Sequence, residues 1–86
     1  MAVYLLDKRY TELGLDLASR DENAKVVLLQ DGVYLGVSPV EGKMEVYYVE
    51  NDLAKRGIDK LPGGARMINY DELIDLIEQE KVYSFI

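Results

Sequence analysis

Asp31 and Gly32 interrupt one apolar run, Val26-Val27-Leu28-Leu29, and are followed at once by another, Val33 to Val37. A carboxylate and a glycine at the carboxyl end of a buried strand are the makings of a crevice site in an open parallel sheet. The commoner role of an aspartate there is to cap the helical turn that the glycine begins. Lys55 and Arg56, just before Gly57, could hold an anion, although cations at a helix end more often only complement the macrodipole. Asp71, Asp75 and Glu78 share one face of a helix and could attract a cation; such a row ordinarily forms a solvated face.

Cysteine and histidine are both absent. No disulfide, thiolate metal site or persulfide-carrying nucleophile is available, and the usual zinc ligands and the commonest general base are missing. The hydroxyls of Thr11, Ser19, Ser38 and Ser84 have no base paired with them by sequence spacing. No glycine-rich phosphate loop is present: Asp31-Gly32 offers one glycine, and Gly63-Gly64 precedes a strand instead of a helix. The chain is therefore expected to be no enzyme, with no catalytic residue, no metal and no cofactor.

The elements that position these residues read as β-α units with short connections. Ala2 to Leu6 is an apolar first strand, and Tyr10, Leu13 and Leu17 recur at the spacing of a helix laid on a sheet over Tyr10 to Ser19, weakened by Gly14. Lys25 to Leu29 lacks alternation, as expected of a strand covered on both faces. Val33 to Val37 reads as one or two helical turns closed by Pro39 and Gly42. Met44 to Val49 is a third strand whose Tyr47 and Tyr48 point to opposite faces. Asn51 or Asp52 is expected to cap the next helix, which ends at Lys55-Arg56-Gly57 with an αL glycine. After the Leu61-Pro62-Gly63-Gly64 turn, Ala65 to Ile68 is a fourth strand. Asn69 and Glu72 then form a capping box for the helix Tyr70 to Gln79, and Val82 to Phe85 is a final edge strand. Leu73, Ile74, Leu76 and Ile77 occupy more than one side of that last helix, so part of it is expected to pack on another subunit.

The 86 residues make one domain, 1–86, of α/β class: a small three-layer fold with a mostly parallel sheet of four to five strands flanked by helices. A chain this short buries only about 60–65% of its unfolded surface, so self-association would add to a thin core. An apolar content of 49% excludes a disordered chain, and no apolar run approaches the roughly 18 residues that span a bilayer. With no signal-peptide pattern at Met1 to Arg9, a cytoplasmic protein with no membrane contact is expected. A net charge of −6 disfavours direct nucleic-acid binding.

Four segments carry a family resemblance: Leu28-Leu29-Gln30-Asp31-Gly32-Val33, Val46-Tyr47-Tyr48-Val49-Glu50-Asn51-Asp52-Leu53-Ala54-Lys55-Arg56-Gly57, Ile68-Asn69-Tyr70-Asp71-Glu72-Leu73 and Lys81-Val82-Tyr83-Ser84-Phe85. In this order and spacing they resemble the DsrH/TusB family of small sulfur-relay subunits, with Phe85 where many members have tryptophan. The resemblance implies a Rossmann-like or flavodoxin-like (DsrEFH-like) domain working in homo- or hetero-oligomers, with DsrE/DsrF-like (TusD/TusC-like) sister chains as partners. It also implies a place in tRNA wobble-uridine thiolation or in dissimilatory sulfur oxidation. Some members carry a cysteine on the first helix; Asp16 and Leu17 occupy that neighbourhood here, so only a scaffold role carries over. The candidate crevice or interface residues are Asp31, Gly32, Tyr34, Asp52, Arg56, Tyr70, Leu73 and Ile77. The alternative is a small homodimeric ligand-binding domain of the same fold, taking an anionic metabolite at the strand ends with no part in sulfur transfer.

Overall fold

The structure, a computed structural model, describes residues 2–21, 24–37 and 44–85. Its strands are β1 (Ala2–Leu6), β2 (Ala24–Leu28), β3 (Met44–Val49), β4 (Arg66–Ile68) and β5 (Lys81–Phe85), and its helices are α1 (Thr11–Ser19), α2 (Glu50–Lys55) and α3 (Tyr70–Gln79). Two 3-10 turns, Lys8–Tyr10 and Gln30–Tyr34, follow β1 and β2. The five strands form one sheet in the order β4-β3-β2-β1-β5, and every pairing is parallel. Successive connections step from β1 out to β4, and the chain then crosses back to place β5 on the far side of β1.

That reversal distributes the helices. Tyr4, Leu6, Val26, Leu28, Val46 and Tyr48 pack on one face with Ala18 of α1 and Leu53 of α2. Val3, Leu5, Val27, Tyr47 and Val49 pack on the other with Leu73 of α3. Both faces of β1, β2 and β3 are thus covered, which is why their apolar runs do not alternate. Tyr47 and Tyr48 point to opposite faces as expected, and both are buried. The edges are β5, as expected of the final strand, and β4, three residues long.

The helix ends are written in the sequence. The Asn69 side chain accepts from Glu72 N at 2.8 Å, and Glu72 Oε1 accepts from Asn69 N at 3.2 Å, closing the capping box. At the end of α2, Gly57 (φ 67) donates to the Ala54 carbonyl and Ile58 to the Leu53 carbonyl, the paired bonds of a Schellman turn.

Several expectations are corrected. The face of α1 on the sheet is Thr11, Gly14 and Ala18 with half-buried Leu15, whereas Tyr10, Leu13 and Leu17 are 46%, 54% and 39% exposed. The helix lies so close to β1 that Leu6 and Phe85 side chains occupy the space a Cβ at Gly14 would take, so only small residues fit there and the large ones turn outward. The turn after β2 starts at Gln30, not Val33, and is 3-10; Pro39 and Gly42 lie outside the described residues. Neither Asn51 nor Asp52 caps α2, because the helix starts directly after β3 with Val49 at the cap position. Strand β2 starts and ends one residue earlier than expected, and β4 and β5 each differ by one residue at their start. Among the described residues no helix is long and apolar enough to cross a membrane.

Tyr4, near the middle of β1, ties this core to the edge strand. Its ring stacks on Tyr83 and Phe85 of β5 at centroid distances of 5.2 and 6.4 Å, and its hydroxyl donates to Asp21 Oδ2 at 2.9 Å. Burial first, then the hydrogen bond and charge of Asp21, push this phenol up from 10.0 to about 12. Folding therefore favours the neutral phenol. Its contribution is full below pH 10.0 and is lost as pH rises toward about 12, because the unfolded chain ionises first. Tyr47 and Tyr48 are pushed up by burial in the same direction. Denaturant unfolding on either side of pH 10.0 should show stability falling with pH, and Tyr4→Phe should make the slope shallower. An unchanged slope would contradict this account.

Candidate functional site

β2 and β3 are neighbours with Leu28 opposite Tyr48, so the segments leaving their carboxyl ends emerge side by side. From β2 comes the turn Gln30–Tyr34; from β3 comes α2. Asp52, in the first turn of α2, is 6% exposed, and its Oδ2 accepts from Gln30 N across this gap at 2.9 Å. That carboxylate therefore clamps the turn after β2 to the helix after β3.

Arg56 lies one turn further along. Its Nε and Nη2 stand 3.1 and 3.0 Å from Asp31 Oδ1, and its Nη1 donates to the Asp52 carbonyl at 3.2 Å. Nη1 is also 3.6 Å from Asp52 Oδ1. The guanidinium sits 5.9 Å from the centre of the Tyr34 ring, within reach of a cation–π interaction. Leu29, Gln30, Lys55 and Tyr70 complete an open crevice of about 500 Å³. Tyr34 and Tyr70 remain 59% and 43% exposed at its margin.

Six of the eight residues singled out in the sequence therefore meet at one end of the sheet. Asp31, Asp52, Arg56 and Tyr70 line the crevice, the Tyr34 ring lies under the Arg56 guanidinium, and buried Gly32 seats the turn against the end of β1. Leu73 belongs instead to the core under α3, and Ile77 is 38% exposed on the outside of that helix. The expectation that Asp31 caps the turn is not met: the cap position is Leu29, without a side-chain bond, and the Asp31 carboxylate is turned to Arg56. Arg56 as an anion site is corrected too, because two carboxylates and a carbonyl already take up its donors. Asp71, Asp75 and Glu78 are exposed, and among the described residues no group of acids is placed to hold a metal ion.

Gln30 was not legible as part of the site. It has φ 52, the left-handed region that non-glycine residues seldom adopt, and nothing in its side chain signals it. Holding it there costs about 1–2 kcal/mol, which the bond from its N–H to Asp52 helps to offset. Gln30→Gly keeps that N–H and removes the strain. It should stabilise the fold by about 1 kcal/mol net of the extra chain entropy of glycine, measured by denaturant unfolding; a loss of stability would show that the Gln30 side chain supports the turn.

Chemically the site is a clamp. Arg56 sits between the carboxylates of Asp31 and Asp52, one positive charge against two negative over short distances, which fixes the geometry of two chain segments and presents two tyrosines and part of an arginine to solvent. These residue types are enriched where proteins meet.

Comparison with known proteins bears on the family. A solution NMR structure of protein Tm0979 from Thermotoga maritima is 30% identical, covers 93% of this chain with 94% of its own, and superposes with a TM-score of 0.66. No curated protein matches. The family model described as DsrH like protein matches residues 9–82, a span that holds the Asp31-Gly32 turn, the Asp52 to Gly57 segment and the entry to α3. The chain belongs to the DsrH-like family.

Proposed function

We propose that this chain is a non-catalytic subunit of a sulfur-relay assembly, as in tRNA wobble-uridine thiolation or dissimilatory sulfur oxidation. The observation that carries the reading is membership of the DsrH-like family in a chain without cysteine. Sulfur carried as a persulfide needs a thiolate, so a sister chain must supply it and this one supplies surface. DsrE/DsrF-like (TusD/TusC-like) subunits are the proposed partners, in the cytoplasm, with no direct contact to nucleic acid.

Two surfaces support a scaffold role. One is the clamp with Tyr34 and Tyr70. The other is the outer side of α3, where Tyr70, Ile74 and Ile77, spaced at i, i+4 and i+7, are 43%, 51% and 38% exposed. The sheet face beneath has α3 as its one packed helix among the described residues, so a second copy or a related chain laid there would deepen a thin core. Ile74 and Ile77 are already about half covered, so burying the remainder at such a contact would contribute about 1 kcal/mol each.

Tagged protein purified from its own cells, with the intact complex weighed under non-denaturing conditions, tests this. Recovery with cysteine-bearing related chains is the expected outcome. A self-only dimer would refute the relay subunit and favour a homodimer of the same fold with another task.

A further inference from the structure

A second and larger depression, of about 740 Å³, lies at the same carboxyl edge, between the start of α1 and the segment after the Gln30–Tyr34 turn. Its walls are apolar: Leu15, Leu35 and Val37 are half-buried, and the Tyr10 ring stands at the rim. Beside these walls sit two adjacent cations, Lys8 and Arg9, and one carboxylate, Glu12. Neither cation forms an ion pair with a described residue, in contrast to Arg20, Lys25 and Arg56. On a chain of net charge −6, the lining residues carry two positive charges against one negative, with the Asp7 carboxylate beside them taken up by the Lys8 N–H.

Its place in the fold supports a ligand. Lys8 and Arg9 follow Asp7 at the end of β1, and Leu35 to Val37 follow the turn after β2, so the cavity lies outside the carboxyl ends of two neighbouring parallel strands. Crevices outside the carboxyl ends of strands are where open α/β sheets bind ligands. The first turn of α1 lines the same space and adds its positive end. The volume falls within the ~300–1,000 Å³ of small-molecule sites.

We propose that this cavity binds a small amphiphilic monoanion, its apolar body against Leu15, Leu35 and Val37 and its head at Lys8 and Arg9. A single negative charge fits best, because Glu12 on the rim opposes a second. The site is separate from the Asp52–Arg56 clamp and does not depend on the relay reading.

The test is a titration of isotope-labelled protein with sodium octanoate, followed by amide chemical shifts, with octylammonium chloride as the matched cation. The expected result is one saturable curve at Thr11, Leu15, Gly36 and Val37 with octanoate and none with octylammonium. Arg9→Glu, an exposed change, should weaken octanoate by about tenfold. Gly36 lines the cavity, and a Cβ added there meets nothing within 4 Å, so Gly36→Phe should fill the space and abolish binding. No response to octanoate, shifts that scatter without saturating, shifts centred on Ile74 and Ile77, or an equal response to octylammonium would each overturn the proposal. If Gly36→Phe does not fold, Arg9→Glu decides: undiminished affinity would overturn it as well.

Discussion

Gly32→Ala should destabilise the protein by about 2–3 kcal/mol, at the upper end of what overpacking a single methyl costs. A Cβ at this position would stand 2.6 Å from the Leu6 carbonyl oxygen and 3.3 Å from Asp7 Cα. Both obstacles are backbone at the end of β1, and that backbone is held from two sides: the Leu6 carbonyl accepts from Leu29 N, and Asp7 N donates to the Phe85 carbonyl. Relief therefore requires the turn to lift off the sheet, which would stretch the Gln30–Asp52 bond as well. Gly14→Ala is the informative contrast. There the obstacle is the end of the Leu6 side chain, with Phe85 beyond it, and a methyl would add about 1 kcal/mol of helix propensity. Leu6 is fully buried and has little room to move, so the clash should still win, but by less than at Gly32. Urea unfolding of both variants checks the order; Gly14→Ala costing more than Gly32→Ala would mean that the turn is freer than its hydrogen bonds imply.

The two glycines show what kind of information a sequence carries. Local signals are legible: the Asn69–Glu72 capping box, the Gly57 helix end and the unbroken apolar run of β2 are set by neighbours within a few residues, and the structure has each of them. Signals that depend on how closely two elements approach are not. The stripe Tyr10, Leu13 and Leu17 satisfies helical periodicity as well as Gly14 and Ala18 do, and hydrophobicity alone selects the larger residues for the core. The tight fit of α1 on Leu6 reverses that choice. Asp52 makes the same point among polar residues. At the start of a helix it looks like a cap, and only the pairing of β2 with β3 places Gln30 N within reach of its carboxylate. The gathering of Asp31, Asp52, Arg56 and Tyr70 follows from strand order, which no local pattern encodes.

If the carboxylate of Asp52 is the clamp, Asp52→Ala should cost about 2–3 kcal/mol, since it leaves the Gln30 N–H without its acceptor and takes one of two carboxylates from Arg56. Asp52→Asn keeps an oxygen for the Gln30 N–H and loses only the charge, so about 1 kcal/mol is expected. Asp31→Ala should cost the least, about 0–1 kcal/mol, because that side chain is 60% exposed and its pair with Arg56 is solvated. Denaturant unfolding of the three variants tests the order, and a double-mutant cycle of Asp52 with Arg56 isolates their coupling, expected to be about 1 kcal/mol. The functional consequence runs the other way. Asp31→Ala leaves the fold intact but frees one side of Arg56 beside Tyr34, so it should alter partner recovery more than stability, whereas Asp52→Ala should lower both together as the turn that carries Tyr34 loosens. An Asp31→Ala protein that recovers its partners unchanged would remove the clamp from the contact surface and leave the outer side of α3 to carry the assembly.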